Sequence, residues 1–172
     1  YLYVRMGMYC INDIIKIRRK MFGMTQRQLL GDDRDTRTMR RIENRHTSPQ
    51  RANVVELFHK LNLSTEYAKT NIVTSNQEVK QMMEMLLQYI NSLEWEKAEA
   101  LLEKIKALVY QGDKFNLQTL QNAETLIHWK LKKLGREEYY AKMRETLELT
   151  MPFEAFFKEG TKFLTHMELT CI

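Results

Sequence analysis

The chain has 172 residues, of which 44% are hydrophobic and 28% are charged, and its formal net charge is +5. This composition is typical of a globular protein rather than a disordered one, and the length allows one small domain and a second helical one. Two prolines and six glycines, together with the lack of strand-like alternation, predict an all-α fold.

The positive charge is concentrated in the first third of the chain. Residues 1–63 hold 13 Lys and Arg against 6 Asp and Glu, whereas residues 64–172 hold 14 against 16. A basic surface neutralises phosphates and releases counterions, so nucleic acid is the first partner to consider. The alternative is a solvated basic face without a partner.

We interpret residues 1–11 as a leader. This stretch is too short to span a membrane and lacks the pattern of a signal peptide, so we expect a cytoplasmic protein with no membrane contact. Cys10 and Cys171 are too few and too far apart in sequence to indicate a disulfide framework or a metal site. We therefore expect no metal and no cofactor.

Residues 12–63 predict four short helices. The first covers about 12–21 and the fourth about 51–61, with apolar residues at helical spacing in both. In the fourth helix the predicted core residues are Val54, Val55, Phe58 and Leu61. The first helix has two candidate inward stripes, which are Ile14, Ile17 and Met21 or Ile11, Ile15 and Arg18.

The second and third helices form the most informative pair. The run from Thr25 to Gln28 is a capping box, which predicts a helix that starts at Gln26 and ends near Gly31. After the acidic connector 32–35, residues 36–44 predict a third helix with Met39 and Ile42 inward and arginines outward. Two short helices with a tight connector are typical of a helix-turn-helix.

These residues resemble the lambda-repressor-like, or XRE-type, helix-turn-helix domain. The resemblance covers about residues 12–63 and depends on Ile15 to Gly23, Thr25-Gln26, Leu29, Met39, Arg41 to Asn44 and Ser48-Pro49. It implies a dimer that sets two copies of the third helix into successive major grooves of a two-fold DNA site. The base-reading residues it implies are Gln26, Thr36, Arg37, Arg40 and Arg41, and the phosphate contacts are Arg45, His46 and Thr47.

Two features differ from the usual pattern of that family. Arg45 occupies a position where the family usually has glycine, and a residue other than glycine is uncommon at positive φ. The connector Asp32 to Asp35 is acidic where the family is usually apolar, and its aspartates would repel phosphate.

The remaining sequence predicts a linker at 64–75 and a second helical domain at 76–172. The run from Ser75 to Glu78 is a second capping box that should open a long helix. Apolar residues then recur at helical spacing in two antiparallel pairs, near 79–105 and 117–147, and a further helix start follows Pro152. Such pairs resemble tetratricopeptide repeats stacked into an α-solenoid, and an irregular helical bundle is the alternative.

The order of these elements resembles the Firmicutes regulators grouped with the Rgg, PlcR and PrgX type. That resemblance implies a dimeric transcription factor, active in quorum sensing, whose repeat domain binds a signalling peptide. It also indicates that the chain is shorter than the longer members of the group. The candidate peptide contacts are Asn116, Gln118, Gln121, Asn122 and Glu124, and an exposed polar helix face is the alternative reading of these residues.

No sequence pattern indicates an enzyme. A glycine-rich phosphate loop, a nucleophile elbow and a histidine pair at ligand spacing are all missing from the sequence. The sequence therefore predicts a DNA-binding transcriptional regulator. The alternative is a protein-protein interaction module with a vestigial helix-turn-helix.

Overall fold

A computed structural model describes residues 9–31, 35–64, 72, 74–110 and 112–172. Within these residues all regular secondary structure is α-helical, as the sequence predicts. The helices are α1 (Ile11–Met21), α2 (Gln26–Leu30), α3 (Thr36–Glu43), α4 (Arg51–Lys60), α5 (Gln77–Asn91), α6 (Trp95–Leu108), α7 (Lys114–Lys130), α8 (Arg136–Glu148), α9 (Phe153–Phe157) and α10 (His166–Thr170). None of them has both the length and the apolar character that a membrane span requires.

The described residues fall into two compact units. The first unit lies within residues 1–68 and 151–165, and the second lies within 69–150 and 166–172. This division differs from the predicted domain at 76–172, because residues 151–165 belong with the N-terminal helices. The physical reason is that Phe163 is buried in their core and its backbone carbonyl accepts a hydrogen bond from Arg18 of α1.

The first unit packs α1 to α4 around one apolar core. Neither predicted stripe of α1 is buried as a whole, because Ile17 of the first is half-buried and Ile11 of the second is exposed. The buried apolar residues and arginine of this helix are Ile14, Ile15, Arg18 and Met21. The core also contains the following residues of the other helices: Leu29, Leu30, Met39, Ile42, Val54, Leu57 and Phe58. Val55, predicted to lie in the core, is exposed. Leu57, which lies three residues after the buried Val54, is buried instead.

The capping box of α2 forms as predicted. The Thr25 hydroxyl accepts a hydrogen bond from the Gln28 backbone N–H (3.1 Å), and the Gln28 side chain accepts one from the Thr25 N–H (2.7 Å). Gly31 follows α2 with φ of 89°. The helix therefore ends where the sequence indicates.

The second unit is built from longer helices that pack in chain order. Helix α5 contacts α6, α6 contacts α7, and α7 contacts α8, while α10 also packs on α7. The cap of α5 is Asn76 rather than the predicted Ser75, since the Asn76 side chain accepts from the Glu78 N–H at 2.9 Å. An asparagine one residue later reaches the second helical N–H, so the helix begins at Gln77.

Candidate nucleic-acid interface

Helix α3 divides into a buried face and a basic face. Met39 is fully buried and Ile42 is 3% exposed, so these two side chains anchor the helix in the core. Arg37, Arg40 and Arg41 are all exposed. The N-terminus of the helix is capped by Asp35, which accepts from the Arg37 N–H at 2.8 Å. The helix therefore presents three exposed arginine side chains on the face opposite Met39 and Ile42.

The C-terminal end of α3 is fixed to α1 and α2 by Glu43. The Glu43 carboxylate accepts from Arg19 Nε at 2.5 Å and from Arg19 Nη2 at 2.9 Å, and it accepts from Gln26 Nε2 at 2.8 Å. Arg19 also donates to the backbone carbonyl of Met24 at 2.6 Å. One carboxylate thus holds three helices in register, and one amide hydrogen of Gln26 is committed to it.

The protonation of Glu43 reflects two opposed effects. Burial by itself would raise the pKa of Glu43, but the hydrogen bonds from Arg19 and Gln26 bring the pKa below its ordinary value. The charges of Arg19 and Lys16 lower it further. Glu43 is therefore ionised at neutral pH, and its charge balances the Arg19 guanidinium within the protein.

The turn after α3 is held by the side chain of Asn12 at the start of α1. Asn12 Nδ2 donates to the backbone carbonyls of Ile42 at 2.7 Å and Thr47 at 3.0 Å. Arg45 lies at φ of 61°, so it adopts the left-handed conformation that its position requires even though it is not glycine. The turn thus keeps its shape through side-chain bonds from α1.

The Arg45 guanidinium forms a two-point ion pair with Asp13. Arg45 Nε lies 3.1 Å from Asp13 Oδ1, and Nη2 lies 2.7 Å from Oδ2. Burial alone would raise the pKa of Asp13, but hydrogen bonds from Cys10 and Arg45 lower it, and the Asp13 hydrogen bond raises the pKa of Arg45. Arg45, predicted as a phosphate contact, therefore has an anionic partner inside the protein.

The other predicted DNA contacts differ in accessibility. His46 and Thr47 are exposed beside Arg45, and Thr36 is half-buried at the start of α3. The predicted residues therefore lie on α3, on the turn that follows it and at the start of α2. Sequence reasoning missed the supporting residues Asn12 and Asp13, for which polar types at the start of a helix were the available signal.

The predicted peptide contacts on α7 do not form an exposed polar face. Asn116 is 4% exposed and Gln118 is 2% exposed. Gln118 Nε2 donates to the Thr146 carbonyl of α8 at 3.0 Å and to the hydroxyl of Thr150, just after α8, at 2.8 Å, so both of its amide hydrogens are used. These two residues are interior groups, which contradicts their reading as a solvated polar face, and a peptide contact at these positions stays a prediction.

The remaining three residues of that set have different surroundings. Asn122 Nδ2 donates to the Thr170 hydroxyl at 2.9 Å, which links α7 to α10. Glu124 accepts from Lys106 of α6 at 2.9 Å. Gln121 is half-buried. These residues differ in burial and in hydrogen-bond partners, and a polar sequence segment by itself shows neither.

Among the described residues, no group of three or more His, Cys, Asp and Glu side chains could hold a metal ion. The two cysteines are free thiols. Burial raises the pKa of the Cys171 thiol, so this sulfur is less nucleophilic than an ordinary cysteine.

These observations define an all-α chain in which α3 is anchored by its buried face and carries exposed arginines. No protein-family model matches the chain, and no curated protein matches it. Among solved structures, the chain is similar to the crystal structure of Bacillus thuringiensis PlcR in complex with the peptide PapR7 and DNA. The identity is 18% and the TM-score is 0.44, and the match covers 94% of this chain and 54% of that one. The chain thus spans about half the length of the PlcR chain.

Proposed function

We propose that the chain is a sequence-specific DNA-binding transcriptional regulator that acts as a homodimer and has no catalytic activity. The observation that carries the proposal is the arrangement of α3, in which Met39 and Ile42 are buried while Arg37, Arg40 and Arg41 are exposed. Guanidinium groups donate bidentately to guanine in the major groove, and each good contact contributes about 1–3 kcal/mol of discrimination.

The geometry around α3 supports this proposal in a second way. A reading helix must be held in a fixed orientation, because base contacts are directional. The bonds of Glu43 with Arg19 and Gln26 hold one end of α3, and the Asp35 cap holds the other. In a dimer, two such helices would be about one helical turn of DNA apart.

Fluorescence anisotropy with short duplexes tests the proposal. Duplexes from the promoter beside its own gene and of random sequence are compared at two salt concentrations. We expect tighter binding to the promoter duplexes that persists at the higher salt. Equal binding to every duplex, abolished by salt, would contradict sequence reading.

Substitutions tested in the same assay distinguish base-specific recognition from sequence-independent electrostatic binding to DNA. Arg41→Ala should reduce selectivity between the cognate site and a site changed at one base pair, by about tenfold. Lys104→Ala on the exposed surface of α6 is the matched control and should leave that selectivity unchanged. The same loss of affinity on cognate and random DNA for Arg41→Ala would remove it from the reading set.

The runner-up is a protein-interaction module. The observation that favours it is the Arg45–Asp13 ion pair, which neutralises one of the predicted phosphate contacts. Retention on heparin that is lost with salt would support DNA binding, whereas a stable protein complex that salt does not affect would support the module.

A peptide ligand for the second unit is a further part of the proposal. It depends on Gln121, since this amide has no hydrogen-bond partner within the described residues while Asn122 and Glu124 have partners. Selection of random heptapeptides on the immobilised full chain, repeated with Gln121→Ala, would test it. Recovery of the same peptides on both proteins would exclude Gln121 as a contact.

A further inference from the structure

A cleft with three lysines lies in the first unit, between α1 and the segment 159–162. Its volume is about 410 Å³, within the range of small-molecule sites. Lys16 and Lys20 of α1 lie one helical turn apart and line one wall, while Lys162 lines the other. The remaining lining residues are Ile17, Met21, Glu159, Gly160 and Thr161. We call this site the lysine cleft.

The charge of the lysine cleft is not balanced within the protein. Among the described residues, no ion pair joins Lys16, Lys20 or Lys162 to a carboxylate, and Glu159 is the one acidic residue in the lining. The nearby carboxylate of Glu43 is already bonded to Arg19, although Lys16 is close enough to lower its pKa. The cleft therefore carries an excess of positive charge.

The surroundings of Lys162 disfavour the charged form of its amino group. Burial lowers the pKa of the Lys162 amino group below its ordinary value, and the charge of Lys158 lowers it further. The amino group donates a hydrogen bond to the backbone carbonyl of Lys158, a neutral acceptor. An anion in the cleft would offset both effects, since an opposite charge within a few ångströms favours the charged form.

The backbone of the segment also allows close approach of a ligand. Gly160 has φ of 107° and nothing lies within 4 Å of the position where a Cβ would stand. Thr161 adds a hydroxyl to the lining, and Ile17 and Met21 add apolar surface. Amino groups, a hydroxyl and an open backbone on one side are the features that bind a phosphate group, and the apolar wall suits an organic part of a ligand.

We propose that the lysine cleft binds a phosphate group, carried either by a small phosphorylated molecule or by a nucleic-acid backbone. This site is distinct from the arginines of α3. It contains no residue predicted to read bases. Phosphate binding here does not depend on the proposed function, except when the source of the phosphate is DNA.

Nuclear magnetic resonance of the full chain tests the proposal directly. The pKa of Lys162 is measured from its ¹³Cε shift in chloride, in inorganic phosphate at the same ionic strength, and with a short DNA duplex. We expect phosphate to raise the pKa of Lys162 in a saturable manner. A rise with inorganic phosphate would indicate a small-ligand site, and a rise with the duplex alone would indicate a backbone contact. The same pKa in all three conditions would overturn the proposal.

Two substitutions make the test specific. Lys20→Gln removes an exposed cleft lysine without touching the core, and it should weaken phosphate binding about threefold or more. Lys104→Gln on α6 makes the same charge change outside the cleft and should leave phosphate binding unchanged. Equal weakening by both variants would mean general charge attraction and would overturn the site. Promoter selectivity measured on Lys20→Gln keeps this result separate from the function of α3.

Discussion

The two units hold their helices together by different kinds of polar contact. In the first unit charged side chains bind across short helices: Arg18 donates to the carbonyls of Leu61 and Phe163, and Arg19 bonds to Glu43. In the second unit the charged contact between α6 and α7, Lys106 with Glu124, is part-exposed. The buried contacts there begin from neutral side chains, as where Gln118 donates to the Thr150 hydroxyl, which in turn donates to the Glu168 carboxylate.

Helix length explains this difference. Helix α2 has 5 residues and α3 has 8, whereas α5 has 15 and α7 has 17. A short helix buries few apolar side chains and forms few internal hydrogen bonds, so tertiary contacts must supply its stability. Long helices can depend on their apolar stripes. We therefore expect the first unit to be more sensitive to single polar substitutions than the second.

The largest expected effect is that of Arg18→Met. This substitution leaves two buried carbonyls without the donor they have now, at a cost of about 1–3 kcal/mol each, so we expect about 4 kcal/mol of lost stability. Urea unfolding monitored by circular dichroism measures this loss of stability. Both tryptophans, Trp95 and Trp129, lie in the second unit, so their fluorescence should report an unchanged transition. An equal shift in both signals would break the comparison between the units.

A somewhat smaller effect is expected from Glu43→Gln. It leaves the 12% exposed Arg19 side chain without its charged partner, which should destabilise the first unit by about 3 kcal/mol. Glu154→Gln, an exposed position in the same unit, is the control. A shift no larger than that of the control would mean that the ion pair contributes little.

The Glu43 carboxylate should also make the stability of the first unit depend on pH in the acid range. Because the pKa of Glu43 is lower in the folded chain than its ordinary value of 4.5, the stability it contributes is present above that pH. The contribution is lost as the pH falls through the folded value. The free energy of unfolding, measured between neutral pH and strong acid, should therefore fall less steeply in Glu43→Gln than in the unsubstituted chain. Parallel curves for both proteins would assign the acid sensitivity to other groups.

In the second unit, Thr150→Val should cost about 2 kcal/mol, because it removes the hydroxyl that joins Gln118 to Glu168. In this variant the urea unfolding transition reported by tryptophan fluorescence should shift to lower urea concentration. Thr150→Ser keeps the hydroxyl and serves as the control. Equal losses for valine and serine would show that packing, not the hydrogen bonds, determines the effect.

The smallest effect on stability is expected from Asp13→Asn, which breaks an ion pair whose Arg45 side chain is 66% exposed. Its effect on DNA should be larger, since Arg45 would become available to phosphate. We expect about threefold tighter binding to all duplexes and a steeper dependence on salt. Unchanged affinity would mean that Arg45 does not contact the backbone in either state.

The sequence alone determined the local features of this protein. The capping box from Thr25 to Gln28, the spacing of Met39 and Ile42, and the scarcity of glycine and proline predicted helices, because capping and apolar periodicity act over one or two turns. The exposed arginines of α3 were predicted in the same way, since they occupy the face opposite the buried stripe.

Only the tertiary structure decided which polar residues are buried and what they bind. Gln118, 2% exposed, looks like a surface residue in the sequence, and Arg18, fully buried, belongs to only one of the two candidate inward stripes of α1. The segment 151–165 joins the first unit through Phe163, a contact that spans 145 residues from Arg18. The lysine cleft arises in the same way, from α1 and residues 159–162. Such contacts depend on which distant segments meet, and local patterns carry no information about that.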